Sequence, residues 1–567
     1  MKQMFRTSAL IVILFASWVA RGQDPVASVE AEEGVLNGVQ SSSSTSGYSG
    51  EGYVTGFDNG NDYVEVQINI SQGDLYRLEI GYSSSAGSRT QKIFINDEGA
   101  HPIHFEGTNS GEWLVQRSGT YRFNSGSNKL KLQSDWGYID IDNFTLYEVE
   151  EKSYDVTTTL IDPEANEDAG LLYDFMLEHF GKRVISGQTN DTYEDLADEA
   201  GYRPLMRTFD FQSYTEGYTY AWDNQAGGHT FGAVDDGQVS TAITWYEATG
   251  GQGIVNWQWH WHSPSGGEAG TNSFYTDQTD FDVREAVKKG TAEYELVIRD
   301  IDAIAVQLQK LSNAGVPIIW RPLHEAGGGW FWWGAKGAEP CLQLWDIVYD
   351  RLQNHHGIHN LVWSWSTPEE DWYPGNEKVD FIGYDSYPGA ENYVPQTQMY
   401  DQVYEITKGK KIIAMTENGP IPDFKTSFGE GAPWSMFMSW SNLVFEQNSN
   451  GHIQQVYGYW RVLVFDDDYN LIIREEEDET IEPEEPVLDV KLGSGGMRLY
   501  PNPAHDQVQV LGGTFVDLTV YDMTGRSVGQ WPQQSDTVDV SGLSDGYYMM
   551  VFQNGQTTER LQLIIRR

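Results

Sequence analysis

Cysteine and basic residues are scarce in this chain of 567 residues. Cys341 is the single cysteine, so no disulfide can form within the chain, and packing or bound metal must stabilise the fold. Lys and Arg total 36 against 83 Asp and Glu, a formal net charge of −47. Because binding to a phosphate backbone requires clustered Lys and Arg, this charge argues against nucleic acid as a partner.

Long apolar runs are also lacking. A membrane-spanning helix needs about 20 apolar residues, and no segment beyond the first 22 residues approaches that length, so no membrane span is expected. Residues 1–22 have the pattern of a secretory signal peptide: Lys2 and Arg6 precede an apolar run over 10–19, and Ala20 and Gly22 are small residues suited to cleavage. We therefore expect a secreted, extracellular protein, either released or attached at the cell surface.

Residues 26–150 are built from short segments in which apolar and polar side chains alternate. Gly, Ser and Asn separate these segments, a pattern typical of an antiparallel β-sandwich. The predicted strands are 63–68, 75–80, 91–95, 129–133 and 138–146. The sequence therefore predicts a β-sandwich as the first domain.

From residue 153 to 474 the pattern changes to strands that alternate with helical periods such as 294–313 and 342–354. The predicted strands are 183–187, 204–209, 253–259, 317–323, 360–364, 381–384, 411–415 and 436–440. Eight strands with intervening helices indicate a (β/α)₈ barrel.

Residues 475–496 begin with five consecutive acidic residues and continue with Pro and Gly, which predicts an extended linker. The last segment, 497–567, again alternates, for example over 516–521 and 547–552, and is expected to form a small C-terminal β-sandwich. The chain is thus predicted to be a β-sandwich, a (β/α)₈ barrel and a small β-sandwich in series.

One predicted barrel strand ends in His324 and Glu325, and four aromatic residues follow at 330–333. Indole faces stack on sugar rings, and a carboxylic acid whose pKa is raised by apolar neighbours can protonate a glycosidic oxygen. His followed by Glu also begins a zinc-protease motif, but that motif needs a second His where Gly328 stands. A sugar-cleaving site is favoured, and a purely structural glutamate held by Arg321 stays open as the alternative.

Glycoside hydrolysis normally uses two carboxyl groups that face each other across the scissile bond. The strand 411–415 leads into Glu417, which makes it the second candidate. The two strands are the fourth and the seventh, whose carboxyl ends meet at the barrel mouth. A separation of roughly 5 Å between the carboxyl groups would indicate retention of configuration, and about 6.5 Å or more would indicate inversion.

Four motifs closely resemble glycoside hydrolase family 26: WRPLHE at 320–325, GGWFWWG at 328–334, GYDSYP at 383–388 and TENG at 416–419. Members of this family are mostly retaining endo-β-1,4-mannanases with a barrel fold. The resemblance implies that Glu325 is the acid/base and Glu417 the nucleophile. It also implies β-mannan (mannan, galactomannan or glucomannan) as the substrate and no cofactor for catalysis.

The resemblance extends to residues around the carboxyl pair. Trp330 matches a tryptophan that stacks on sugar near the cleavage point, with a plain surface aromatic as the alternative. His324 matches a histidine that contacts substrate or orients the catalytic centre, with a structural histidine as the alternative. Tyr384 matches a tyrosine that donates to the nucleophile and keeps it ionised. Arg321, in the same motif as His324, is expected to bind substrate.

Two further residues are implied more loosely by the same resemblance. His260 is similar to a histidine at the end of strand three, although His262 offers a second alignment. Trp440 is similar to a tryptophan that forms the floor under the sugar being cleaved.

The first domain resembles carbohydrate-binding modules of family 35 or of the related family 6. The resemblance implies a structural Ca²⁺ held by Glu30, Glu32 and Asp142, since carboxylates are the hard oxygen ligands that this ion prefers. It also implies a sugar-stacking role for Trp136. Strand alternation predicts that Ile139 and Ile141 face the core while Asp140 and Asp142 face outward; a solvated strand face is the alternative.

The motifs at 499–504, 520–525 and 543–548 resemble the sorting domain recognised by the type IX secretion machinery, although the chain ends in Arg566 and Arg567 where lysines are common. The sequence analysis therefore predicts a secreted endo-β-1,4-mannanase. The alternatives are a mixed-linkage β-glucanase or β-1,3-xylanase of the same family, and a surface glycan-binding protein without catalytic activity.

Overall fold

The structure is a computed structural model. It describes residues 24–212, 218–220, 229–231, 237–266, 271–475, 498–500, 507–511, 517–522, 526–532, 537–544, 546–554 and 557–565. The predicted signal peptide, nearly all of the predicted linker, and Arg566 and Arg567 lie outside these residues. In the described ranges, no helix has the length and apolar character needed to cross a membrane.

The N-terminal module, described without a gap over 24–150, is a sandwich of two antiparallel sheets. Its strands are β1 (Ala27–Glu30), β2 (Val35–Asn37), β3 (Gln40–Ser42), β4 (Tyr53–Thr55), β5 (Tyr63–Ile70), β6 (Asp74–Ser83), β7 (Arg89–Ile95), β8 (Glu98–Phe105), β9 (Leu114–Phe123), β10 (Gly126–Trp136) and β11 (Asp140–Glu148). One sheet has the order β3-β4-β11-β6-β9, with β1 beside β11, and the other has the order β2-β5-β10-β7-β8. The apolar side chains of both inner faces form one core, so the predicted sandwich is confirmed.

Strand β8 was not among the predicted strands. It contains Pro102, which cannot donate a backbone hydrogen bond, and Gly99, which adopts a left-handed backbone. Both residues weaken the strand pattern. They are tolerated because β8 lies at the edge of its sheet, where one side of the backbone needs no strand partner.

The middle domain contains a curved sheet of seven parallel strands in the described residues, in the order β13-β15-β18-β19-β20-β21-β22. The strands of this domain are β12 (Val184–Ile185), β13 (Gly187–Thr189), β14 (Arg203–Pro204), β15 (Met206–Asp210), β16 (Tyr218–Tyr220), β17 (His229–Phe231), β18 (Ile254–Gln258), β19 (Ile318–Arg321), β20 (Leu361–Trp365), β21 (Phe381–Ser386), β22 (Ile412–Asn418), β23 (Val462–Phe465) and β24 (Leu471–Ile472). The seven strands predicted from 183–187 to 411–415 are found within a few residues of their predicted bounds, whereas the sequence analysis does not predict β16, β17, β23 and β24.

The eighth position of the barrel is filled by residues 436–439, which form isolated bridges instead of the continuous strand predicted at 436–440. Met436 bridges to Ile185, and Ser439 bridges to Gln188 on one side and Asn418 on the other. The segment therefore joins the two edge strands of the sheet, and the (β/α)₈ architecture is closed at this point.

Helices cover the outside of the barrel. They are α1 (Glu167–His179), α2 (Tyr193–Ala200), α3 (Gln238–Ala248), α4 (Val283–Ala286), α5 (Ala292–Asn313), α6 (Ala338–Asp350), α7 (Thr397–Thr407), α8 (Phe424–Gly429), α9 (Leu443–Glu446) and α10 (Asn450–Gly458). Helix α5 begins where Thr291 accepts a hydrogen bond from the Tyr294 backbone N–H, two residues before the predicted start. Single-turn segments include Ala326–Gly328 and Glu370–Trp372, and both lie on loops at the barrel mouth.

The C-terminal unit consists of two antiparallel sheets within its described residues, ordered β25-β26-β29 and β28-β27-β30-β31. The strands are β25 (Arg498–Tyr500), β26 (Gln507–Leu511), β27 (Asp517–Asp522), β28 (Ser527–Pro532), β29 (Thr537–Asp539), β30 (Gly546–Asn554) and β31 (Thr557–Ile565). Their buried apolar side chains form a separate small core, as expected of a small sandwich.

Candidate active site

The two predicted carboxylates occupy neighbouring positions at the carboxyl end of the barrel. Glu325 lies four residues beyond the end of β19, the fourth strand in sheet order, and Glu417 is the penultimate residue of β22, the seventh. Their charges act on each other, since Glu417 contributes to the elevated pKa of Glu325. The structure therefore brings both side chains to one site.

Arg321, at the end of β19, is fully buried beneath this site. Its Nη1 donates to Glu417 Oε2 at 3.0 Å and to Gln258 Oε1 at 2.6 Å, its Nε donates to Ser366 Oγ at 3.1 Å, and its Nη2 donates to Asp385. The predicted substrate contact of Arg321 is wrong, because these protein acceptors take its donors and no surface is left for a ligand. The alternative in which Arg321 holds Glu325 is also not what the structure shows, since the carboxylates that it hydrogen-bonds are those of Glu417 and Asp385.

A tyrosine does donate to Glu417, but it is not the predicted Tyr384. The hydroxyl of Tyr387 lies 2.5 Å from Glu417 Oε1, whereas the ring of Tyr384 stacks on Trp434. Successive side chains of a strand point to opposite faces, so Tyr387 shares the barrel-facing side with Asp385 while Tyr384 faces the opposite side. Burial and the charge of Glu417 raise the pKa of Tyr387 well above its usual value, which keeps the hydroxyl protonated as a donor.

Glu325 has the properties of a proton donor. Burial, followed by the charges of Asp385 and Glu417, raises its pKa to about 8, so the carboxyl group is protonated at neutral pH. Trp330 Nε1 donates to Glu325 Oε2 at 2.9 Å. Glu325 also has a φ of 53°, a left-handed backbone that is uncommon outside glycine and that turns its side chain toward the mouth.

The aromatic patch after Glu325 divides into one exposed and three buried side chains. Trp330 is 48% exposed and offers a free indole face beside the carboxyl group. Phe331, Trp332 and Trp333 are buried. The Trp332 N–H donates to the carbonyl of Trp261, and the Trp333 N–H to that of His324. The expectation that all four aromatic residues stack on sugar is therefore wrong for Phe331, Trp332 and Trp333, which pack in the core under the loop.

His324 and His260 lie together at the mouth. Their Nε2 atoms are 3.2 Å apart, and His260 Nδ1 is 2.5 Å from Asp210 Oδ2. Burial lowers the pKa of His324 well below its usual value, so this imidazole is neutral. The ring of Trp440 lies 5.5 Å from that of His260. Of the two histidines considered for this position, His260 meets His324 and Trp440, whereas His262 is buried with its Nδ1 3.1 Å from a serine hydroxyl.

The sequence analysis missed several residues of this site. Asp210 ends β15 and could have been found by the rule that polar residues at barrel strand ends are functional. Tyr275 is 39% exposed and stacks on Phe331 with ring centroids 5.4 Å apart. Burial and the charges of Glu325 and Glu417 raise the pKa of Tyr275. Tyr275 lies in a long loop after β18, where no periodic pattern marks it.

In the N-terminal module the structure groups Glu30, Glu32 and Asp142. The Ser49 hydroxyl donates to Glu30 and to Asp142, and the Gly52 N–H donates to Glu32 Oε1. Burial raises the pKa of both Glu30 and Asp142, and the neighbouring carboxylates add to this. Asp142 is buried, so the predicted outward orientation is wrong; the register of β11 shifts between residues 141 and 144 and breaks the alternation.

Glu32 Oε2 is buried and has no hydrogen-bond partner among the described residues. Nor does any described Lys or Arg form an ion pair with this group of three carboxylates. The oxygens of these three carboxylates do not all lie within 4.8 Å of one another, so a hard divalent cation, which would satisfy the unpaired oxygen and reduce the mutual repulsion, would have to bring them closer together.

Trp136 lies at the end of β10, outside the barrel site. Its ring is 63% exposed, and the Arg89 guanidinium lies 4.8 Å from its centroid. An exposed indole on a sandwich is suited to stacking on a sugar, but the structure places it apart from the carboxyl pair.

Residues 161–467 match the family described as Glycosyl hydrolase family 26. The chain belongs to that family. Residues 27–149 match the carbohydrate binding module of family 35, which decides between the two module families considered, and residues 498–566 match the Secretion system C-terminal sorting domain. The sorting domain marks the family 26 chain as a secreted protein.

Individual relatives match about three quarters of the chain. A mannan endo-1,4-beta-mannosidase of Thermothelomyces thermophilus is 36% identical over 451 residues, which cover 77% of this chain and 89% of that protein. Mannan endo-1,4-beta-mannosidase B of a Piromyces species is 34% identical over 434 residues, which cover 74% of this chain and 73% of that protein. Among solved structures, the GH26-CBM35 beta-(1,4)-mannanase of Podospora anserina is 35% identical with a TM-score of 0.52, and the match covers 77% of this chain and 97% of that one.

Proposed function

We propose that the chain is a secreted, retaining endo-β-1,4-mannanase that hydrolyses mannan, galactomannan and glucomannan. Family 26 membership and the mannan endo-1,4-beta-mannosidase names of its relatives support the reaction and the substrate. The observation that carries the proposal is that two neighbouring carboxyl groups differ in protonation state and in hydrogen-bond partners. Glu325 is half-buried and protonated, while Glu417 accepts hydrogen bonds from a guanidinium and a phenol.

In the first step Glu417 attacks the anomeric carbon while Glu325 transfers its proton to the departing glycosidic oxygen. The glycosidic bond breaks, and an ester bond to Glu417 forms. Arg321 and Tyr387 stabilise the carboxylate charge before attack and fix the orientation of the attacking oxygen. Because they hold the same Glu417 carboxylate, the nucleophile needs no reorganisation when substrate arrives.

In the second step Glu325, now ionised, removes a proton from water, and the water oxygen attacks the anomeric carbon and releases Glu417. The charge of Glu417 raises the pKa of Glu325 in the free enzyme. That charge is absent in the ester, so the pKa of Glu325 falls when it must act as a base. Two displacements on one carbon return the original configuration.

Residues around the pair are proposed to bind the sugars. Trp330 offers its exposed indole face beside the acid, and Trp440, together with the pair His260 and His324, forms the side of the site around the sugar being cleaved. The neutral imidazole of His324 can donate to or accept from a sugar hydroxyl group without adding charge next to Glu417.

The N-terminal module is proposed to hold a structural Ca²⁺ through Glu30, Glu32 and Asp142. The unpaired buried oxygen of Glu32 supports this. When bound, the ion would neutralise the three carboxylates and link the first strand of the module to its last. The module would bind glycan through exposed aromatic residues that include Trp136.

The division of the chain follows from these roles. Residues 1–22 would direct export, 26–150 bind glycan, 153–474 catalyse hydrolysis, 475–496 serve as a linker, and 497–567 be recognised by the type IX secretion machinery. The match to the Secretion system C-terminal sorting domain supports the last role.

The substrate is tested by incubating the protein with galactomannan, lichenan and β-1,3-xylan and measuring new reducing ends. We expect release from galactomannan, and faster release from lichenan or xylan would favour the two related specificities. Product analysis on mannohexaose then reports linkage and cleavage position. The Glu417→Ala variant should lose turnover, and full turnover in that variant would contradict the assignment. Glycan binding without any released oligosaccharide from the unaltered protein would indicate a non-catalytic binding protein.

A further inference from the structure

The N-terminal module contacts the barrel through its edge strand β8. Gln398, near the start of α7, accepts from the His104 N–H at 3.0 Å and donates to the His104 carbonyl at 3.0 Å. Gln398 is buried, and its amide bonds to the edge strand much as a neighbouring strand would. Asn392, in the loop after β21, donates to the carbonyl of Ala100 at 2.8 Å. Strand β8 is therefore held at both its beginning and its end.

Ion pairs surround this contact. Lys152 Nζ lies 2.8 Å from Asp401 Oδ1, and Arg117 Nη1 lies 3.2 Å from Glu405 Oε1. Each pair joins helix α7 to the module or to the segment that follows it. Polar contacts of this kind, spread along one helix, fix the orientation of the module on the barrel.

A cleft of about 620 Å³ lies between the module and the barrel. Cavities of about 300–1,000 Å³ are of the size that binds small molecules and sugars. His104 and Glu106 line the module side, and Glu369 and Trp372 are among the residues of the barrel side. The side chains of His104 and Glu106 are 49% and 66% exposed, so both are accessible to a ligand in the cleft.

The upper end of this cleft reaches the loop that carries the proposed acid. A side chain on Gly327, two residues after Glu325, would lie 2.7 Å from Glu369 Oε2. Glu106 of the module lines the same cleft as Glu369. Glu369, which lines the cleft, therefore lies beside the loop that follows the proposed acid.

The strand order shows which part of a substrate would pass this point. A chain that is cut between Glu325 on β19 and Glu417 on β22 must enter on one side of this pair and leave on the other. Trp440 and His260 lie on the side of the 436–440 segment and β18. The leaving-group portion therefore passes over the loops after β20 and β21, and these are the loops that meet the module.

We propose that the family 35 module completes the leaving-group end of the catalytic cleft, with His104 and Glu106 binding β-1,4-linked mannosyl units beyond the first. This inference rests on the proposed function. The His104 imidazole can donate to or accept from a sugar hydroxyl, the Glu106 carboxylate can accept from a neighbouring one, and Trp372 adds an aromatic surface on the opposite wall. The module would then act in substrate positioning as well as in attachment to polysaccharide.

The test compares two substrates in the full-length protein. Mannohexaose can place several mannosyl units in the cleft, whereas 4-nitrophenyl β-mannotrioside has a leaving group with no mannosyl unit. We expect the double variant His104→Ala/Glu106→Ala to lower the ratio of kcat/KM for mannohexaose to kcat/KM for the aryl substrate by roughly three- to tenfold, the effect of one or two lost hydrogen bonds. The products of mannohexaose should shift toward cleavages that leave fewer units in the cleft.

Glu98→Ala is the matched control, because Glu98 is an exposed carboxylate on the same strand β8 that does not line the cleft. Its ratio should equal that of the unaltered protein. An unchanged ratio in the double variant, or an equal loss on both substrates, would overturn the inference while leaving the proposed function standing. If the unaltered protein cleaves neither substrate, the proposed function itself fails.

Discussion

Arg321 Nη1 donates to Glu417 Oε2 over 3.0 Å, and the same guanidinium donates to Asp385 on the neighbouring strand. One fully buried cation thus serves two buried carboxylates. With Glu325 ionised as well, three negative charges would face this single positive charge, and this is one reason why Glu325 keeps its proton. The arrangement makes the acid and the nucleophile two parts of one charge network.

Replacing Arg321 should cost the barrel much of its stability. Arg321→Met leaves Glu417 and Asp385 buried without their cation, for which we expect a loss of about 3–5 kcal/mol in the free energy of unfolding. Urea unfolding followed by tryptophan fluorescence measures it. Arg284→Met is the control, because Arg284 pairs with Asp282 at the surface, where solvent screens the pair and its loss should have little effect on stability. Equal effects of the two variants would contradict the role given to Arg321.

Tyr387 and Tyr384 provide a matched comparison. Tyr387→Phe removes the hydroxyl that donates to Glu417, and a hydrogen bond to a charged group is worth about 1.5–3 kcal/mol, so kcat should fall roughly ten- to a hundredfold. Tyr384→Phe removes a hydroxyl on a ring that stacks on Trp434 and is not the donor to Glu417, so its effect on kcat should be much smaller. The reverse order of the two effects would restore Tyr384 as the donor.

The alkaline limit of activity should follow Glu325. Its pKa of about 8 means that the protonated acid is lost as the pH rises through that value, so kcat/KM should decline above about pH 8. The Trp330 N–H stabilises the ionised carboxylate and lowers this pKa. Trp330→Phe should therefore move the alkaline limb to higher pH. If the alkaline limb of the kcat/KM profile stays in place or moves to lower pH in this variant, the limb reflects the ionisation of a group other than Glu325.

Calcium should stabilise the N-terminal module. An ion present at 100 times its Kd stabilises the folded state by about 2.7 kcal/mol, so a chelator should lower the melting temperature of the module. Glu32→Gln should abolish that difference, while Glu33→Gln, a change at the exposed neighbouring residue, should keep it. If the melting temperature of the unaltered protein does not change with calcium, the proposal of a bound ion is contradicted.

Sequence reasoning located the residues whose position follows from strand ends. Glu325 and Glu417 stand at or just beyond apolar strands, and the parallel arrangement brings such ends together. The same reasoning misjudged Arg321, Trp332 and Trp333. Burial depends on which loops fold back over a residue, and the 326–334 loop turns its last aromatic residues into the core.

Other residues could not be found because their positions depend on loops or on irregular strands. The register between β21 and β22 shifts after Tyr384. The sequence pattern alone therefore does not show that Tyr387, and not Tyr384, lies on the barrel-facing side. Tyr275 stacks on Phe331 from a long connection, which two hydrogen bonds from Thr276 tie to the backbone at 329–330. The orientation of the module on α7 has no local sequence signal at all.

The configuration of azide adducts tests most directly whether Glu417 is the nucleophile and Glu325 the acid/base. In Glu417→Gly, azide can take the place of the missing carboxylate, and a single displacement should yield the α-mannosyl azide. In Glu325→Ala with an aryl mannoside, azide replaces water in the second displacement and should yield the β-mannosyl azide. Proton NMR distinguishes the two. A β-azide from the Glu417 variant, or an α-azide from the Glu325 variant, would contradict the assignment.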